Sequence, residues 1–227
     1  NISKKLKKNI SKNLSEEEAL EIFKDIGIQI VDYKVCFNEK QAIEHSSQIG
    51  FPLAMKVLSN QILHKTETGG VELNIKNLEE LKISFQKLSD VFQKLKIKSS
   101  DEKFLIQKME KGIAEIILGY RVDELVGPIV VIGSGGVLSE IYNDKSLRMA
   151  PVDIVEAKKM IKEVKSLVTI TGYRGLPEAD LNIIATAIVN MSKFAFIKEI
   201  KEAEINPVIV KKENEGIIAV DGLITLN

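Results

Sequence analysis

No part of this chain repeats strand, helix and strand at a fixed beat, and that constrains its architecture more than any single motif. Helix signals are plain. Ser15 with Glu18 reads as a capping box, and Ala19, Ile22, Phe23 and Ile26 recur at helical spacing until Gly27 stops them. Asn38 caps a second helix, with Ala42 and Ile49 inside and Gly50 at its end. Asn77 with Glu80 opens the longest stripe: Leu81, Phe85, Leu88, Phe92 and Leu95. Asp153 and Glu156 open a fourth helix around Met160, Ile161 and Val164. Pro177 reads as a first-turn proline ahead of a fifth, striped by Leu181, Ile184, Ile188 and Met191. Strands are expected at 33–37, 52–55, 71–75, 103–109, 113–119 and 128–132, the last apolar and β-branched enough to be central. The chain closes with strands at 203–210 and 217–226, joined by a turn at 213–216. Strands that follow one another directly exclude a purely doubly wound sheet. The pattern predicts the α+β class, as two sheet-and-helix units across a cleft.

A chain of 227 residues with 44% apolar residues can bury a sizeable core. Its 32 basic and 32 acidic residues cancel, so no field of one sign suggests a nucleic-acid partner. The basic segment around Lys4 to Lys8 predicts a solvated, flexible tail over 1–13, with 14–227 as the folded domain. In that domain the smaller subdomain takes part of 14–105, and the larger takes the remainder. Cys36 is alone, which suits a cytoplasmic location. No apolar run approaches membrane-spanning length, and no leader pattern is read.

The stretch from Lys56 to Gly70 holds the densest candidate chemistry: K-V-L-S-N-Q-I-L-H-K-T-E-T-G-G. The apolar run before it predicts a buried strand that delivers Lys56 at its end. His64, Lys65 and the pair Gly69-Gly70 follow. Lysines supply charge for phosphate oxygens, and glycines let backbone N–H groups approach an anion. A neutral imidazole has a lone pair for attack on phosphorus. Spacing alone leaves Lys56 open between a phosphate contact and a solvent-facing lysine. It leaves His64 open between a nucleophile and a residue that holds the bend. His45, on a capped helix without flanking partners, reads as a surface or boundary residue. Gly133-Ser134-Gly135-Gly136 is not a dinucleotide loop, because Leu138 stands where the last glycine belongs.

Six segments occur in one order: G-F-P-L-A-M-K, H-K-T-E-T-G-G-V, G-P-I-V-V-I-G-S-G-G-V-L-S-E, D-K-S-L-R-M-A-P, G-Y-R-G and E-I-N-P-V. Together they resemble the nucleotide-binding β subunit of ADP-forming acyl-CoA synthetases (acetate–CoA ligase, ADP-forming), over roughly residues 14–226. The resemblance implies an ATP-grasp fold that holds ATP or ADP with Mg²⁺ between its two units. It implies a ligase whose partner is a CoA-binding α subunit or a fused CoA-binding domain, in an assembly such as α2β2. Lys56 matches the family's phosphate-binding lysine, and His64 the histidine that carries the phosphoryl group, with Lys65, Gly69 and Gly70 beside it. Gln107, Lys108 and Met109 match the strand whose backbone meets the adenine edge. Glu115 matches an acidic residue near the nucleotide, though a solvent-facing strand position fits it almost as well. Asp144 and Arg148 match the family's D-x-x-x-R. Arg148 is expected to clamp phosphate or to pair with Asp144 or Glu140.

Glu204, Asn206 and Asp221 are the expected metal ligands, as oxygen donors that suit Mg²⁺. Asp221-Gly222 also reads as a hairpin turn; the family keeps this aspartate inside a continuous strand, which is the placement expected here. Two related readings share much of the pattern: the nucleotide-binding domain of a fused acyl-CoA synthetase-like protein acetyltransferase, and a succinate–CoA ligase β subunit.

Overall fold

The computed structural model describes residues 2–6, 12–59, 68–97, 102–136 and 144–227. His64, Lys65, Glu140 and most of the segment expected to carry the phosphoryl group lie outside those residues. The chain divides into two compact units, Val31–Met109 and Asn1–Ile30 with Glu110–Asn227.

In the smaller unit the predicted helices form where their caps place them. Asn38 Oδ1 accepts from the Gln41 N–H and starts α3 (Glu39–Ile49); Asn77 Oδ1 accepts from the Glu80 N–H and starts α4 (Leu78–Lys94). Two earlier helices, α1 (Ile2–Leu6) and α2 (Glu16–Asp25), belong to the larger unit. Four strands, β1 (Tyr33–Cys36), β2 (Leu53–Val57), β3 (Val71–Ile75) and β4 (Phe104–Lys108), pair antiparallel in the order β1-β4-β2-β3. Alternation assigns the faces. Leu53, Met55, Val57, Phe104 and Ile106 enter one core with Ala42 of α3 and with Leu81, Leu88 and Phe92 of α4. Phe92 meets Phe104 edge-on at 5.3 Å between centroids. The other residues of the two middle strands, Ala54, Lys56, Leu105 and Gln107, share the opposite face.

The larger unit is built on β5 (Ala114–Asp123), β6 (Gly127–Ser134), β7 (Lys145–Met149), β8 (Ile200–Val210), β9 (Ile217–Ala219) and β10 (Gly222–Leu226). Its sheet runs β10-β8-β5-β6-β7, with β9 also on β8. The helices α2, α5 (Ile154–Glu163) and α6 (Leu181–Ser192) pack on one face: α2 against β10, α5 against β7, and α6 against β5 and β6. Leu118, Tyr120, Val130, Ile132, Ala203, Ile205 and Ile224 turn to these helices and are buried. The predicted 128–132 strand lies inside the sheet, between β5 and β7.

Three expectations need correction, and one holds. The basic tail is partly structured: Leu6 of α1 is buried, and Lys5 pairs with Asp25 of α2 at 2.5 Å. Lys56 does not end its strand; Val57 follows it, and its N–H bonds the Gly70 carbonyl at 2.9 Å. Pro177 does not open a helix. Asp180 caps α6 through the N–H groups of Asn182 and Ile183, so the proline falls three residues before the cap. As expected, Asp221-Gly222 is not a hairpin turn. The turn lies at 211–216, where the Lys211 N–H meets the Gly216 carbonyl, and both β9 and β10 run back along β8.

Candidate functional site

In the smaller unit, Lys56 and Gln107 are the polar residues of the strand centre, each only 4% exposed. Lys56 stands opposite Leu105, so Gln107 is its diagonal neighbour, roughly 7–8 Å away across the pair. Lysine is almost never buried without a reason, because the ammonium loses water. The solvent-facing reading of Lys56 is therefore excluded. The Lys108 N–H donates to the Asp32 carbonyl and the Met109 N–H to the Pro52 carbonyl, both at 3.1 Å. These two donors are thus committed within the unit. Pro52 has no N–H with which to return a bond to the Met109 carbonyl, which leaves that carbonyl as an acceptor at the strand's end. Gly69 takes φ +71 with no atom within 4 Å of an added Cβ, so the glycine there serves the turn itself. His45 is half-buried on α3, and its Nδ1 is buried without a hydrogen bond, as befits a boundary residue.

In the larger unit, register decides which candidates meet. The β8–β9 pairs (208 with 219) and the β8–β10 pairs (205 with 222) are in one continuous register. That places Asp221 opposite Asn206. Against β5 the register slips by one between Ile116 and Leu118, so Asn206 and Pro207 together oppose Ile117. This is a β-bulge, a device that re-aims a side chain and tolerates a proline in a sheet. Glu204 and Asn206 share the face opposite the helices, and the Asn206 Nδ2 donates to Glu204 Oε1 at 3.3 Å. Burial pushes the Glu204 carboxyl above its ordinary value; the Asn206 bond opposes this, and the charges of Glu202 and Asp221 add to it. A carboxyl that is partly desolvated beside two others is relieved by a cation. The donor set fits Mg²⁺, since all its atoms are hard oxygens. Among the described residues, no group of three or more His, Cys, Asp and Glu forms a metal cluster.

Glu115 is exposed at the start of β5, and its backbone fixes the glycine turn. Its carbonyl accepts from the Gly135 N–H at 2.7 Å, and a Cβ on Gly135 would lie 2.9 Å from the Glu115 carbonyl carbon. Gly135 is therefore a glycine because two backbones touch, and Gly136 takes φ +84.

Arg148 is elsewhere. On β7, Ser146 and Arg148 turn to the helix face and Lys145 and Leu147 away from it. The Arg148 Nε donates to Glu156 at 2.6 Å and its Nη2 to Glu163 at 2.5 Å; Nη1 bonds Ser146 and the Leu147 carbonyl. The Glu163 and Glu156 carboxylates hold the guanidinium well above its usual value. Arg148 fastens α5 to β7 and does not share a face with Glu204. Neither does it pair with Asp144, which caps the 3₁₀ turn Lys165–Ile170 through the N–H groups of Lys165 and Ser166. Burial raises the Asp144 carboxyl, but those bonds outweigh it and hold the group below its ordinary range.

Sequence reasoning missed two cations on the Glu204 face, Arg121 and Lys145. They line a cavity of about 280 Å³ with Gly119, Gly133, Glu202 and Glu204. Alternation along D-K-S-L-R was the available signal: Lys145 and Arg148 differ by an odd number, so they cannot share a face.

Two antiparallel sheets with helices, one holding a buried lysine and the other a carboxylate and amide set, define the ATP-grasp class. The family model described as ATP-grasp domain matches residues 5–226. The chain is 37% identical over 214 residues to the acetate–CoA ligase [ADP-forming] I subunit beta of Pyrococcus furiosus, covering 94% of this chain and 91% of that one. It is 34% identical to the 4-hydroxybutyrate–CoA ligase [ADP-forming] of Nitrosopumilus maritimus, of which it spans 31%. Among solved structures, an acetyl-coenzyme A synthetase of Ca. Korarchaeum cryptofilum in complex with coenzyme A and Ca-AMPCP superposes with a TM-score of 0.88 at 32% identity, covering 100% of this chain and 98% of that one. The chain belongs to the β-subunit family of ADP-forming acyl-CoA synthetases.

Proposed function

We propose that this chain is the nucleotide-handling subunit of an ADP-forming acyl-CoA synthetase, which catalyses acyl-CoA + ADP + phosphate ⇌ carboxylate + CoA + ATP. The observation that carries the reading is the continuous β8–β10 register, which sets Asp221 opposite Asn206 beside Glu204. Relatives support it. The P. furiosus protein of nearly the same length is a β subunit. A Ca. Korarchaeum cryptofilum structure with a TM-score of 0.81 at 32% identity is a complex with coenzyme A and Mg-AMPPCP, its phosphohistidine segment pointing towards the nucleotide binding site.

In this reading Lys56 meets nucleotide phosphates, and the end of β4 meets the adenine. Its Met109 carbonyl accepts from the exocyclic amine, with Gln107, Lys108 and Glu115 close to the nucleoside. Glu204, Asn206 and Asp221 would hold Mg²⁺, which when bound neutralises phosphate charge. His64 is the relay. Its ring nitrogen attacks the phosphorus of an acyl phosphate made by the partner, and the acyl carboxylate leaves with the P–O electrons. A terminal oxygen of ADP then attacks the same phosphorus, and the P–N electrons return to the ring. Lys65 and the Gly69-Gly70 backbone neutralise the charge on the group in transit.

The partner is a CoA-binding subunit or fused domain, in a hetero-oligomer such as α2β2. Relatives of similar likeness are named for acetate, 4-hydroxybutyrate and trans-feruloyl-CoA, so the choice of acid rests with that partner. A succinate–CoA ligase reading is weaker: that relative is 24% identical, and the chain spans 53% of it. No helix among the described residues is long and apolar enough to cross a membrane, and a cytoplasmic location fits the single cysteine. The test is reconstitution with the CoA-binding subunit, assayed over a panel of carboxylates for ATP- and CoA-dependent acyl-CoA formation. Thioester formed only when both chains and Mg–ATP are present supports the reading; thioester formed by the partner alone refutes it.

A further inference from the structure

We infer that Lys145 and Arg121 hold the terminal phosphate of ATP, in the cavity beside Glu204. The inference rests on the nucleotide reading and adds two cations that the sequence motifs do not mark.

The geometry comes from the register of the sheet. On the face opposite the helices, Lys145 of β7 stands beside Gly133 of β6, which stands beside Ile117 of β5, which is opposed by Asn206 at the bulge. One row thus runs from Lys145 to the Asn206–Asp221 pair. The next row runs Leu147, Val131, Gly119, Glu204, and the third ends with Arg121 directly beside Glu202. From the Lys145 backbone to Asn206 is three strand spacings, roughly 14 Å. The side chains that would fill this span are missing at Gly133 and Gly119, which floor the cavity of about 280 Å³. A Cβ on Gly133 would already stand 3.3 Å from the Lys145 Cβ. The space is ample for a phosphate and its waters.

Charge gives the space a direction. Glu202 and Glu204 lie on the β8 side and the cations on the β5 and β7 flanks, while Asp144, at the β7 edge, spends its oxygens on the Lys165 and Ser166 N–H groups. A metal-bound phosphate would thus meet metal on one side and Lys145 and Arg121 on the other. Both cations are available at small cost. Lys145 is exposed, and no ion pair to it exists among the described residues. Arg121 pairs with Asp123 at 3.5 Å with its side chain 55% exposed, a weak surface contact. Arg148, the cation expected for this task, is held on the other face by Glu156 and Glu163.

The test is calorimetry of the whole chain with Mg–ADP and with Mg–AMPPCP, which carries the additional phosphate. Lys145→Met and Arg121→Met should each weaken Mg–AMPPCP about tenfold or more, the scale of a hydrogen bond to a charged group, and leave Mg–ADP within about twofold. Lys145→Arg should restore most of the loss. Melting curves confirm that each variant is folded. Equal loss for both nucleotides, or no loss for either, overturns the inference while the nucleotide reading stands. Wild-type protein that binds neither nucleotide overturns the nucleotide reading, and this inference with it.

Discussion

Gly222 is where the account can be tested hardest by one methyl group. The glycine follows Asp221 and invites a turn reading, yet its φ is not among the positive ones. The reason for glycine is space. A Cβ there would lie 2.6 Å from Cε2 and 3.1 Å from Cδ2 of Phe23, and 3.7 Å from the Ala19 Cβ. Phe23 is fully buried on α2 and stacks obliquely on Phe194 at 6.2 Å, so its ring has little freedom to retreat. Overpacking of this kind costs about 1–3 kcal/mol. Alanine also restricts the unfolded chain, which returns about 0.4–1 kcal/mol. Gly222→Ala should therefore destabilise by up to about 2.6 kcal/mol, a fall in Tm of up to about 10 °C for a chain of this size. Differential scanning calorimetry measures it. Phe23→Leu removes Cε2, the nearer of the two colliding atoms, so in that background the cost of Gly222→Ala should largely disappear, a coupling that a double-mutant cycle reads directly. A full-sized loss that persists in the Phe23→Leu background would refute the packing argument and return Gly222 to a turn role.

Two further outcomes follow from the larger unit. Arg148→Met should lower the melting temperature by unfastening α5 from β7, yet leave Mg–ADP affinity within about twofold, because Arg148 faces the helices; calorimetry with lost nucleotide affinity and unchanged melting would contradict this. Glu204 gives a pH dependence. Its folded carboxyl titrates above the ordinary 4.5, chiefly through burial, so in the pH window between those two values the folded chain binds the extra proton. Metal-free stability should fall as pH rises through that window, Mg²⁺ should reverse the fall, and Glu204→Gln should abolish both effects in melting curves taken from about pH 4 to 8.

The sequence shows the helices because a cap and a stripe are local: Ser15, Asn38, Asn77 and Asp153 all accept the N–H bonds that their spacing predicts. Strand β3 was legible to the residue, as an apolar–polar alternation between glycines and a cap. Pro177 misled because first-turn preference is weaker than the side-chain bonds that Asp180 makes. Site residues were legible as motifs, but their grouping was not. Grouping depends on which face of a sheet each residue takes, and a bulge at Asn206-Pro207 changes that count by one without a local signal in composition. On β7 the pairing is regular, and alternation alone separates Arg148 on the helix face from Lys145 on the face of Glu204.

The claim at the centre is that this chain carries a phosphoryl group on His64. The direct measurement is incubation of the reconstituted complex with Mg²⁺ and ATP labelled at its terminal phosphate, followed by denaturing separation and peptide mapping. The account predicts label on this chain that is labile to acid and stable to base, mapped to His64, absent in His64→Ala and unchanged in His45→Ala. Label on the chain that survives His64→Ala, or full acyl-CoA synthesis by that variant, would contradict it.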